Sequence, residues 1–212
     1  YFSVSALIHK YTNFQIIQFS NKPALQSPTM PIHRTLPPAA APLTFADVYN
    51  GLKGLFRGRG EVERFITEIE DFFRLKHCFL LSSGTTALSV LLSALHELEP
   101  ERDEVVVPAN SYYACVLSIL NAGLKPILVE PDETLNMDPE EVKRVITANT
   151  KGVLAVHMYG CPCDMRRLQD ICDKHNLILF EDCAQAHGAT YGGKQVGTFQ
   201  SFFVKYKLVP NV

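Results

Sequence analysis

Four apolar runs recur between Glu104 and Asp182, and no other feature limits the fold of this chain as tightly. They read "EVVVP" (104–108), "PILVE" (126–130), "GVLAVHM" (152–158) and "LILFE" (177–181). Each is nearly continuous in apolar residues instead of alternating, which is the pattern of a strand buried on both faces. Helical spacing fills the gaps over Tyr112–Ala122, Pro139–Ile146 and Asp164–His175. Asp138 stands at an N-cap position with Pro139 at the first helical position, and Asp164 repeats the aspartate cap. Upstream, "HCFLLS" (77–82) reads as another strand and Thr85–Leu95 as a helix. Thr44–Leu55 and Glu61–Leu75 are helical too, the second carrying Val62, Phe65, Ile66, Ile69 and Phe72 or Phe73 on one face. Strands alternating with amphipathic helices specify an α/β fold: a mostly parallel sheet covered by helices on both faces.

The chain has 212 residues, 47 % hydrophobic and 20 % charged, which is ordinary globular material with enough apolar matter for a sizeable core. A net charge of −2 gives no field for a nucleic acid or an anionic membrane surface. No apolar run approaches the roughly 20 residues of a membrane span. These features lead us to expect a cytoplasmic protein with neither nucleic-acid nor membrane partners. The six cysteines (Cys78, Cys115, Cys161, Cys163, Cys172 and Cys183) include no paired CxxC motifs at zinc spacing, so reduced thiols and no metal site are expected. Cys161-Pro-Cys163 is their one cluster.

Residues 1–43 differ in character. No acidic residue precedes Asp47, Lys10, Lys22 and Arg34 are basic, and the segment closes on "TLPPAAAP". An acid-poor basic leader fits a targeting peptide, yet a disordered or dispensable extension fits as well, with Met30 as an internal start.

In an open α/β sheet ligands bind beyond the carboxyl ends of the strands. Those ends supply Ser82-Ser83-Gly84-Thr85, Asn110-Ser111-Tyr112, Glu130-Pro131-Asp132, His157 and Glu181-Asp182. "SSGTTAL" is a glycine turn into a helix start, suited to a phosphate or simply to an N-cap. It matches neither GxGxxG nor GxxxxGK[ST]. Tyr112 and Tyr113 either offer a ring to a planar ligand or pack beneath their helix. His157 is a catalyst or, more commonly, a hydrogen-bonded core residue. Glu181 and Asp182 should point to opposite sides of the sheet, so only one need face the site. Asp182 is a turn carboxylate for "CAQAHG", or it holds a cationic group of a ligand.

Together these segments resemble the DegT/DnrJ/EryC1/StrS family of pyridoxal-phosphate-dependent sugar aminotransferases. The resemblance rests on "SSGTTAL" (82–88), "DEVVVPANSYYA" (103–114), "AGLKPILVEPDETLNMDPEEVKRVIT" (122–147), "TKGVLAVHMYGCPCDM" (150–165) and "EDCAQAHGATYGGKQVGTF" (181–199), in order, from about Phe45 to Phe199. It implies the fold-type I PLP-transferase large domain over 44–199, incomplete and lacking the C-terminal small domain. It implies pyridoxal 5'-phosphate as cofactor: Gly84 and Thr85 on its phosphate, Tyr112 on the ring, Asp182 on the pyridine nitrogen, and Gln185 near the ring's oxygen side. His157 and His187 would stand near the site without an assigned role. For the complete protein it implies a homodimer that moves an amino group from an amino acid to a keto-sugar nucleotide.

The tail departs from that pattern. After "VGTF" the chain reads "QSFFVKYKLVPNV", a divergent tail over 200–212. The family's lysine, which bonds covalently to the cofactor, falls on Asn211 without gaps, or on Tyr206, between Lys205 and Lys207, when "SFF" is matched to the family's serine-aromatic stretch. Neither register carries a lysine, so no catalytic residue is assigned. The expectations are a fragment inactive in transfer, a non-catalytic PLP-binding or regulatory remnant, or a dehydratase-type family member.

Overall fold

A computed structural model of the chain describes residues 44–57, 59–199 and 203–204. The expected extension over 1–43, the lysine positions 206 and 211, and all of the tail but 203–204 lie outside the described residues. Helices α1 (Phe45–Arg57) and α2 (Arg59–Phe73) lead in. Helix α3 (Gly84–Leu98) follows, then β1 (Glu104–Pro108), α4 (Tyr113–Asn121), β2 (Lys125–Val129), α5 (Pro139–Val145), β3 (Thr150–Val156), α6 (Met165–His175) and β4 (Ile178–Asp182). A two-residue hairpin, β5 (Thr190–Tyr191) and β6 (Lys194–Gln195), precedes the short strand β7 (Phe203–Val204).

The main sheet has the order β2-β1-β3-β4-β7 and every pairing in it is parallel. Strand β1 therefore lies between the two strands that come after it in the chain, and the order reverses between β1 and β3. The carboxyl ends at such a switch point leave a crevice. Side-chain alternation divides the core in two. Val105, Val107, Leu154 and Phe180 pack under α3 and α4 with Leu92 and Ile119. Val106, Val153, Ala155 and Leu179 pack under α5 and α6 with Val142 and Leu168. Helices cover both faces, as the continuous apolar runs require.

The predicted helix ends hold because their chemistry is local. Asp138 accepts from the Glu140 amide and Asp164 from the Arg167 amide, each at its N-cap position. Asn176 closes α6 in the left-handed conformation that asparagine tolerates. Most boundaries move by one or two residues, and α3 runs on to Leu98.

One predicted strand does not form. Residues 77–82 have no regular structure, and no described strand pairs with them. A strand exists only through ladder bonds, and the Cys78 amide instead donates to Glu70 Oε1 of α2 at 2.8 Å. The apolar character of Phe79, Leu80 and Leu81 goes into partial burial. On the α2 face Phe73 is buried while Phe72 stays exposed.

Two residues at the start of β3 show how tightly the sheet meets its surroundings. Lys151 is fully buried, its Nζ donating to the Glu99 carbonyl and, at 3.4 Å, to that of Leu95. These carbonyls lie at the C-terminus of α3, where a cation complements the helix dipole; burial lowers the lysine's pKa from its ordinary value. Next to it, Gly152 pairs with Val105 on one side and Ile178 on the other. A Cβ there would fall inside the contact distance of the Ile178 carbonyl oxygen and 2.7 Å from the Phe180 ring. Gly152→Ala is expected to destabilise the protein by roughly 1–3 kcal/mol, the range for overpacking a filled core. A urea midpoint equal to that of the wild type would refute this.

Candidate functional site

Strand ends and helix starts meet at the carboxyl edge because α3 and α4 run against the strands they cover. At the start of α3, Ser83 is the N-cap and its Oγ accepts the Thr86 amide at 3.1 Å. Thr86 Oγ1 lies 3.0 Å from Ser83 Oγ and accepts from Ser82 Oγ at 3.2 Å. The first amides of a helix have no intrahelical acceptor, and Ser83 occupies only that of Thr86. Gly84 and Thr85, predicted for a phosphate, occupy the first turn; the Thr85 carbonyl accepts Ser118 Oγ of α4 at 3.1 Å. The N-cap reading of "SSGTT" is thus correct and leaves room for the other.

Beyond β1, Ser111 Oγ donates to the Pro108 carbonyl at 2.9 Å and Asn110 Nδ2 to that of Leu135 at 3.1 Å. Tyr112 is the N-cap residue of α4. Its ring lies 4.3 Å from that of Tyr113, and both are exposed, at 53 % and 67 %. The packing of either ring beneath the helix, expected as one alternative, does not occur: the core under α4 is filled by Cys115 and Ile119.

The two acids ending β4 do part company. Asp182 shares the α4 side of the sheet with Phe180: Oδ2 accepts the Cys115 thiol at 3.6 Å and Oδ1 the Ala184 amide at 2.9 Å. It is only 2 % exposed, and both of these donors are neutral. The turn-capping role therefore takes one oxygen, with the other directed at α4. Glu181 goes to the α6 side, fully buried. Its Oε2 accepts the Gly197 amide at 2.7 Å and Oε1 the Phe199 amide at 2.9 Å.

His157 is likewise fully buried and belongs to this second network. Nδ1 accepts the Cys163 amide at 3.0 Å, so the ring proton sits on Nε2, 3.4 Å from Glu181 Oε2. The core reading of this histidine is the one realised. His157, Glu181 and Cys183 hold potential metal ligands within 4.8 Å of one another. Both imidazole nitrogens are engaged by protein groups, so the ring offers no free lone pair to an ion. Gln185 is exposed, its Oε1 accepting the Tyr159 amide at 2.9 Å, and His187 is exposed at the same edge.

Three contributors escaped the sequence reading. Cys115 reaches Asp182 across 67 positions of chain, which no local pattern encodes. Ser118 likewise links α4 to α3. Asn136, fully buried, accepts the Met158 amide at 2.9 Å and donates to the Cys161 carbonyl at 3.2 Å, fixing the loop after β3. A polar residue directly before Met137 and the Asp138 cap was the available signal.

None of the six cysteines is joined in a disulfide. Burial pushes the Cys172 thiol up to about 12 and that of Cys163 well above its usual value. Since the thiolate is the reactive form, iodoacetamide at pH 8 should modify exposed Cys161 first and leave Cys163 and Cys172 unmodified in the native protein. Peptide mapping that found Cys172 alkylated as fast as Cys161 would contradict this. The unfolded chain releases these protons nearer pH 8.5, so the two thiols should also make stability fall as pH rises above that value.

This geometry has counterparts among known proteins. The sequence model of the DegT/DnrJ/EryC1/StrS aminotransferase family matches residues 46–205. GDP-perosamine synthase of Vibrio cholerae is 45 % identical over 148 residues, 69 % of this chain and 40 % of that protein. Among solved structures, 3-amino-5-hydroxybenzoic acid synthase superposes with a TM-score of 0.71 at 30 % identity, over 79 % of this chain and 45 % of that one. Escherichia coli GDP-4-keto-6-deoxy-D-mannose-3-dehydratase, with bound hydrated PLP, gives a TM-score of 0.70 at 28 % identity, over 77 % and 44 %. The chain spans about 40 % of the length of the curated relatives it matches.

Proposed function

Because the chain belongs to the DegT/DnrJ/EryC1/StrS aminotransferase family and has the fold of the PLP-dependent fold-type I enzymes, we propose that it forms the cofactor-binding part of a sugar aminotransferase. The reaction proposed for the whole protein is transfer of an amino group from an amino acid to a keto-sugar nucleotide, in the cytoplasm. The perosamine synthase and transaminase relatives support this reading.

The residues at the carboxyl edge suit pyridoxal phosphate chemically. The first-turn amides of Gly84 and Thr85, at the positive end of α3, would bind the phosphate. Tyr112, exposed beside the crevice, would cover the ring, and Gln185 would border its oxygen side. Asp182 carries the proposal: a carboxylate 2 % exposed at the carboxyl end of β4, on the face that α4 covers, suits a protonated ring nitrogen. When bound, the cofactor supplies an electron sink for the carbon that gains or loses the amino group. The chain's own part is to bind the phosphate, orient the ring and hold the proton at the ring nitrogen through Asp182. No lysine of the sequence falls in register with the family's covalent lysine, so residues 1–212 alone are proposed to bind without turnover.

A dehydratase-type activity is the second reading, favoured by the likeness to the E. coli dehydratase. Product analysis of the whole protein with a keto-sugar nucleotide and glutamate separates the two, an amino sugar marking the first and a deoxygenated keto-sugar the second. A homodimer is also proposed. Tyr113, Leu117 and Leu120 are exposed at helical spacing on α4, beside exposed Leu128 on the edge strand β2. A second copy would cover this apolar stripe. Leu117→Glu should then lower the mass seen by sedimentation, and a wild-type monomer would dismiss the idea.

Asp182→Asn keeps the acceptor for the Ala184 amide and removes the charge. A charge-assisted bond contributes about 1.5–3 kcal/mol, so PLP affinity by absorbance titration should fall by roughly ten- to a hundredfold. Affinity unchanged from wild type would remove Asp182 from the site.

A further inference from the structure

The acid that turns away from the crevice is held by donors from separate parts of the chain. Glu181 receives two backbone amides, from Gly197 and Phe199, and faces the Nε2 proton of His157. All of this occurs at zero exposure for both side chains. The imidazole cannot change tautomer without losing the Cys163 amide held by Nδ1. The donors to Glu181 come from two places, the end of β3 and the segment after the β5–β6 hairpin, while the loop before α6 supplies the Cys163 amide that holds the imidazole. The segment holding Gly197 and Phe199 lies between the hairpin and β7.

Its geometry explains why it needs an anchor. Between Asp182 and β7 the chain leaves the sheet for an excursion that includes the hairpin. Val196 returns to it by donating its amide to Ala189 and packing with Cys183 and Ala186. Gly197 then takes φ +79, a conformation open to glycine, before its amide meets the carboxylate. A few residues on, Phe203 and Val204 pair with Glu181 and Asp182 themselves. The residue that ties down the returning segment is therefore also one of the two against which β7 docks.

We propose that Glu181 is a positioning residue: with His157 locked in one tautomer, its carboxylate clamps Gly197 and Phe199 and so fixes where the chain re-enters the sheet beside Asp182. This role rests on the cofactor reading above, since what it positions is the surroundings of Asp182. Two adjacent acids then divide the work by face, one toward the ligand and one holding the backbone. The clamp needs an acceptor on both oxygens. Glutamine has the right size, but it sets an amide NH2 against a backbone N–H.

Hydrogen exchange read by mass spectrometry, paired with PLP titration, tests this on the protein. In Glu181→Gln, peptides reporting on the Gly197 and Phe199 amides should exchange roughly tenfold faster or more, while those of β1 and β3 keep wild-type protection. PLP affinity should fall by a similar factor. His157→Gln, which still offers an acceptor to Cys163 and a donor to Glu181, should retain both properties, and His157→Leu should lose both. That pair decides the matter if Glu181→Gln does not fold. Wild-type protection in Glu181→Gln would overturn the clamp. Lost protection with unchanged PLP affinity would overturn its positioning role. Failure of the wild type itself to bind PLP sinks the cofactor reading and the positioning role with it, whereas the exchange comparison still decides the clamp.

Discussion

Strand β3 is buried along all seven of its residues and hydrogen-bonded on both sides, to β1 and to β4. Nothing in it faces water, so its backbone groups must be satisfied by its neighbours. That requirement sets the register of β1 and β4, and the register sets where they end. The site is built largely from the loops and helix starts beyond those ends. Gly152 allows the close approach of β4 at one end of the strand, and His157 continues past the other, its amide donating to the Asp182 carbonyl at 3.1 Å. The crevice thus owes its position to packing in the middle of the sheet.

The same ladder resolves the two acids. A strand can end in Glu-Asp only if each carboxylate finds donors on its own face, because burying either alone is very costly. On the α6 side the donors are backbone amides and an imidazole, all supplied by this chain. On the α4 side a thiol and one amide reach Asp182. The first arrangement ties the segment after the hairpin to β4, and the second ties β4 to α4 and to the turn that follows it. This asymmetry puts Asp182 on the face of the sheet that α3 and α4 cover, the side from which Cys115 reaches it.

What could be read directly depended on the range of the interaction. Helix caps at Asp138 and Asp164 involve partners two or three residues away, and they were legible. The parallel sheet was legible because a strand buried on both faces must be apolar throughout. "HCFLLS" failed that logic: an apolar run shows that a segment is sheltered, not that a partner strand shelters it. The tyrosine pair left two alternatives open, because its exposure depends on Cys115 and Ile119 filling the space beneath α4. Cys115 at Asp182 and Asn136 under the loop after β3 were invisible, each contact joining residues more than 20 positions apart.

Residue order alone was enough for the α/β architecture, the alternation that sends Glu181 and Asp182 to opposite faces, and the family motifs with their candidate residues Gly84, Thr85, Tyr112, Asp182 and Gln185. These rest on local periodicity and ordered motifs, which need no knowledge of distant partners. Which acid faces α4, and which is sealed by Gly197, Phe199 and His157, emerged only from packing in three dimensions. Direction alternates along a strand, but the face on which each helix lands is fixed by contacts across the whole sheet.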